Sequence, residues 1–80
     1  MDRELEEYYT NQFDMMASQG WKDLMQTVDA MLKKELDVMS IKDAEDLYKR
    51  QGRLDILNWV ANWKETCEAT MKIIQDEENL

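Results

Sequence analysis

A single cysteine, Cys67, and no histidine in 80 residues take away the two supports that very small domains most often use. One thiol cannot close an intrachain disulfide, and one thiol without imidazole cannot build a structural zinc site. A chain this short buries a modest fraction of its surface, so its core is thin. Self-association, or docking on a larger protein, is what remains to hold it. The lone cysteine also fits a reducing compartment.

The backbone menu is narrow as well. There is no proline and there are only two glycines. Glu, Leu, Lys, Met, Gln and Ala, all good helix formers, are plentiful. No stretch alternates apolar and polar residues for long enough to suggest a strand. The chain therefore reads as all-α and as one domain over residues 1–80. We expect a three-helix, helical-hairpin-like arrangement of two shorter helices and one long C-terminal helix.

The first helix is expected over about 3–18. Leu5, Tyr8, Tyr9, Gln12, Phe13 and Met16 keep i, i+3, i+4 spacing, and Glu4, Glu6 and Glu7 sit at the end where the helix dipole favours acid. Gly20 is the expected C-terminal stop. The second helix is expected over about 21–36, with Trp21, Leu24, Met25, Val28, Met31, Leu32 and Leu36 on one apolar face. Lys33 and Lys34 lie near its C-terminal end, again the favoured side. In DVMSIKDAED the pattern breaks, and Ser40 followed by Asp43 resembles a capping box. The third helix is expected over about 41–76, with Gly52 inside it as a close contact or a kink.

Within that long helix, RLDILNWVANW at 53–63 is apolar at seven of eleven positions and has no clear polar back. Successive helix residues turn by about 100°. With Leu54 at zero, Ala44, Leu47, Gln51, Leu57 and Ala61 share its side. Ile56, Val60, Trp63, Cys67, Met71 and Ile74 gather around ~220°, and Trp59 lies at ~140°. The apolar stripe thus changes sides along the helix. A kink at Gly52 with packing from both short helices would bury both stripes. Alternatively, one stripe holds the fold and the other meets a partner. A domain of this size rarely encloses a helix on two sides, and exposed tryptophan favours interface centres. We therefore assign Trp21, Leu24, Val28, Met31, Leu47, Leu54, Leu57 and Ala61 to the fold core. Ile56, Trp59, Val60, Trp63, Cys67 and Met71 are assigned to a partner-binding surface.

The net charge is −8, and its distribution narrows the partners. Residues 1–20 carry net −4, residues 21–40 net −1, residues 41–60 net 0, and residues 61–80 net −3. Direct nucleic-acid binding is disfavoured, because phosphate contacts need clustered Lys and Arg. A neutral middle also argues against mimicry of DNA, and the acid reads as a solubility device. The acidic start MDRELEEYY is unlike a secretory signal, and no run reaches the roughly 18 apolar residues of a membrane span.

Enzyme chemistry has little to work with. Without histidine, Ser–His and Cys–His pairs are impossible. The carboxylate pairs Asp43/Asp46 and Glu65/Glu68 read as solvated helix faces. DEEN at 76–79 lacks the alternating ligands of a calcium loop. We expect no enzyme activity, no cofactor and no metal. Cys67 reads as a small buried hydrophobe on its stripe. The seven methionines fit either gap-filling or an adaptable surface. Lys49, Arg50 and Arg53 are expected to pair with Asp46 and other carboxylates one turn away rather than with an acidic partner.

Two segments carry a resemblance. GWKDL at 20–24, preceded by Tyr8, Tyr9 and Phe13, is one, and DLYKRQGRLDIL at 46–57 is the other. Together they resemble small acidic helical proteins, mostly uncharacterised, encoded by tailed bacteriophages, often among genes for virion structure. The likeness spans Tyr8 to about Ile74. It departs after Leu57, where NWVANW stands in place of an aliphatic run and a short turn. The resemblance implies a non-enzymatic role in the particle or its assembly. Taken with the two missing supports and the switched stripe, it leads us to expect a virion or assembly component, located in the host cytoplasm or the virion, working as a homo-oligomer or as a subunit docked on a larger phage structural protein. The alternative is a small phage-encoded inhibitor that binds and blocks a host enzyme.

Overall fold

In a computed structural model describing residues 2–79, the chain forms four α-helices rather than three. They are α1 (Arg3–Met16), α2 (Gln19–Glu35), α3 (Ala44–Ala61) and α4 (Trp63–Glu78), with a short 3₁₀ turn at Val38–Ser40. No strand occurs among the described residues.

Short polar side chains set the helix starts. The Asp2 carboxylate accepts from the Glu4 amide at 3.2 Å. Between the first two helices, the Ser18 hydroxyl donates to the Met15 carbonyl at 2.6 Å and accepts from the Trp21 amide at 3.2 Å. One side chain thus closes α1 and caps α2. Gly20 is therefore not a stop. It is the second residue of α2, and no described glycine has a positive φ. At the start of α3 the cap is Asp43, not Ser40. Its carboxylate accepts from the Asp46 amide at 2.8 Å, and the Asp46 carboxylate reaches back to the Lys42 amide at 3.1 Å. Reciprocal bonds of this kind satisfy two amides that a helix start leaves orphaned.

The expected 41–76 helix breaks at Asn62 and not at Gly52. Asn62 still donates its amide to the Asn58 carbonyl at 3.0 Å, but its φ and ψ of −98° and 8° leave the helical region. Its carbonyl accepts from both the amide and the hydroxyl of Thr66, at 2.9 and 3.0 Å. Asparagine is a modest helix former, and threonine back-bonding bends helices. Yet Thr27 and Thr70 make the same back-bond within unbroken helix, so Asn62 itself marks the interruption. Gly52 lies in uninterrupted helix.

The break explains the switched stripe. α3 packs on α2, and α4 packs on α1, while α1–α2 and α3–α4 meet end to end. The molecule is two broken rods laid side by side, measuring 51 × 30 × 15 Å. Each helix has one long neighbour and the least dimension is 15 Å, so the helices lie in a single layer. The radius of gyration is 16.9 Å, against about 12 Å for a compact chain of this length.

In a single layer each helix has one long neighbour, so only residues in the seam are covered. Met16, Val28 and Cys67 are the buried apolar side chains among the described residues. Trp21, Leu54, Leu57 and Ala61 are half-buried beside them. Leu24, Met31 and Leu47, expected in the core, stand exposed. They are on the apolar side of their helices, but flank the seam instead of filling it.

Candidate interaction face

The two halves of the seam are held differently. In the α2–α3 half, Arg50 is the centre. Its side chain is largely covered, and it meets the Asp46 carboxylate at 3.2 Å. Its guanidinium also donates to the Ser40 carbonyl at 2.9 Å and lies 3.4–3.5 Å from the carbonyls of Lys34, Glu35 and Asp37. These include carbonyls that the end of α2 leaves without helical partners. Arg53 grips Glu35 through two bonds of 2.9 and 3.1 Å. Lys49 pairs with Glu45 at 3.2 Å. The Lys49 and Arg50 pairs lie one turn apart as the spacing indicates, whereas Arg53 crosses to the neighbouring helix.

This network moves the titration of its acids. The Arg53 hydrogen bond holds the Glu35 carboxyl below the ordinary glutamate range. The Lys42 amide, and then Arg50, hold Asp46 below the ordinary aspartate range. Glu35 reciprocally raises the pKa of Arg53.

In the α1–α4 half, the Trp63 indole N–H donates to the Gln12 side-chain oxygen at 2.9 Å. Cys67 sits behind it at 1% exposure, and burial pushes its thiol pKa up. Cys67, expected on the partner surface, is instead buried, because α4 turns its stripe toward α1. Val60, Trp63 and Met71 of the same set are half-buried, with Trp63 tied to the fold by its bond to Gln12.

Ile56 and Trp59 are placed differently. They are 66% and 59% exposed. On α3, Gly52, Ile56 and Trp59 fall within a ~60° arc by the helix turn angle. Two shallow apolar grooves open along this arc. One, of about 490 Å³, runs between α2 and α3 and is lined by Met31, Gly52, Ile56 and Leu57, with Glu35, Lys49 and Arg53. The other, of about 380 Å³, lies at the joint of the two halves, lined by Tyr8, Gln12, Met15, Trp21, Trp59, Val60 and Trp63. The Trp59 and Trp63 rings meet across it at 5.3 Å, tilted by 39°. Tyr8, Met15 and Met31 are exposed along the same grooves. These three contributors from α1 and α2 were absent from the sequence-based partner set. Their signal was present in the periodicity, which marks an apolar side without saying whether a neighbour covers it.

Other surface features do not converge. A hollow of about 630 Å³ is lined by Arg3, Glu6, Glu7, Thr10 and Asn11, all from α1. One helix alone cannot surround a ligand. Among the described residues no three His, Cys, Asp or Glu side chains gather closely enough to hold a metal ion. None of the described helices is long and apolar enough to cross a membrane.

The chain matches no family model, no curated protein and no solved structure.

Proposed function

We propose that this chain is a non-enzymatic helical interaction module whose apolar face is covered by protein in its working state. The exposure of Ile56 and Trp59 beside two apolar grooves, on a molecule one helix thick, carries this reading. Patches of this kind mark interfaces, and tryptophan is the residue most often found at their energetic centres. Charge favours protein over other surfaces. A net charge of −8 repels nucleic-acid phosphates and anionic lipid headgroups alike.

The setting we propose, a tailed-phage particle or its assembly, rests on the resemblance of GWKDL and DLYKRQGRLDIL. The test is native isolation of the chain from infected cells, under gentle lysis, with quantification in purified particles and precursor shells. The expected result is a complex larger than the free chain, present in fixed copy number in one of those fractions, and lost with Ile56→Glu. Absence from particles, together with a stoichiometric complex with a host enzyme, would move the module to the inhibitor role. A chain that runs alone in every fraction overturns the interaction reading.

A further inference from the structure

Building on that reading, we propose that the α2–α3 part of the face takes a second copy of the same chain. The pair is an antiparallel two-fold dimer in which the two α3 helices cross beside Gly52, and the α1–α4 halves project from opposite ends.

Area is the first argument. The folded chain exposes 6318 Å², whereas a compact monomer of 9.6 kDa exposes about 5,100 Å². The excess, about 1,200 Å², exceeds the ~800 Å² that each partner contributes to a standard interface. The excess is spread over the whole chain, so a contact of standard size on the α2–α3 half covers part of it.

Charge selects the arrangement. α2 and α3 each carry three basic and three acidic side chains and are net neutral, while α1 and α4 are each net −3. The folded molecule therefore has one acidic half and one neutral half. Parallel stacking would lay two halves of −6 on each other. Antiparallel overlap confined to the neutral halves joins surfaces of mixed sign and keeps the acid ends apart by more than the ~8–10 Å over which salt screens them. A two-fold contact presents the same patch from both copies, and a net-neutral patch of both signs can meet itself without net repulsion.

The contour selects the crossing point. Gly52 lies within the α2–α3 groove, between Ile56 and Lys49, and a methyl built on it would meet no atom within 4 Å. A glycine in mid-helix costs about 1 kcal/mol relative to alanine, and inside the chain nothing here uses the space it leaves. A helix from a second copy can approach closely there.

The experiment is sedimentation of the purified chain across a concentration series at low and high salt, combined with single-cysteine cross-linking. Native Cys67 is buried and silent. Gly52→Cys, near the two-fold axis, is expected to form an intermolecular disulfide with its own copy, and Asn11→Cys on α1 is expected to form none. Ile56→Glu is expected to weaken self-association at least tenfold while leaving the helical content of the dilute chain unchanged. Affinity is expected to change little with salt. A monomer at all concentrations overturns the second-copy proposal. So does cross-linking through Asn11→Cys but not Gly52→Cys, or association that strengthens steeply with salt, either of which marks parallel stacking. If the purified chain is monomeric yet Ile56→Glu still strips it from its native complex, this inference falls and the interaction reading stands. If neither complex nor dimer is found, both fall.

Discussion

The Trp63 indole N–H and the Gln12 side-chain oxygen, 51 positions apart in sequence, meet at 2.9 Å and join α4 to α1. Few other polar side-chain bonds cross that half of the seam, so this one can be isolated by mutation. Trp63→Phe keeps an aromatic ring and removes the donor. Its expected effect is a loss of about 1 kcal/mol, the usual net value of a hydrogen bond, read by urea denaturation.

Leu57 and Trp59 stand two residues apart on opposite sides of α3's boundary between seam and solvent. Leu57→Ala is expected to destabilise the isolated chain by about 2 kcal/mol, the low end for a leucine truncation because the side chain is half-buried. Trp59→Ala loses its ring contact with Trp63 and is expected to cost about 1 kcal/mol, with the larger effect on assembly. Thermal melts of the dilute chain, set beside sedimentation of the same variants, separate the two effects. A larger melting shift for Trp59→Ala would reverse the assignment of the two sides.

Gly52→Ala is expected to stabilise the dilute monomer by about 0.5–1 kcal/mol, since the methyl meets open space and alanine restricts the unfolded chain. The melting temperature should rise at concentrations where the chain is monomeric. A fall would mean that the helix is more crowded there than its surroundings indicate.

Acid should loosen the α2–α3 half. The Glu35 and Asp46 pKa values are lowered by folding, so their contribution is fully present above the ordinary carboxylate range. It is lost as the pH falls through the lowered folded values, because the unfolded state then binds more protons. Both carboxylates are half-buried but still in contact with water, which screens part of the effect. Denaturation curves followed from neutral pH down to about pH 3, across the carboxylate range, should show a smaller acid-dependent loss in Glu35→Gln than in the wild type.

The thiol of Cys67 should be nearly inert in the folded protein. It is 1% exposed and its pKa is raised by burial, and the thiolate is the reactive form. Labelling with a thiol reagent at neutral pH should proceed at the rate of opening of the α1–α4 seam. Fast labelling in native conditions would show that this seam opens readily.

Much of the fold was legible because helices advertise themselves locally. The absence of proline, the 3.6-residue apolar spacing and the Lys33–Lys34 end of α2 required no tertiary knowledge. The Asn62 break left a different trace. No glycine or proline marks it, and Asn58–Trp63 reads as continuous helix. Its signature was the stripe that changed sides, a change better explained by two helices with two neighbours than by one helix serving two masters. Exposure was the harder quantity. Leu24 and Met31 share an apolar side with buried Val28, and spacing alone could not tell which of them a single neighbouring helix would cover. Cys67 was misplaced for the same reason: the stripe was correct, but its neighbour was α1.

Arg50 has a consequence for how the chain finds its shape. Its guanidinium contacts reach only 10–16 positions back along the chain, to Lys34 through Ser40, whereas Gln12 and Trp63 must come together over 51. Short loops close at lower entropic penalty and sooner than long ones. We expect the turn between α2 and α3 to form first, and the α1–α4 contact, closed over the longer separation, to form last and open first.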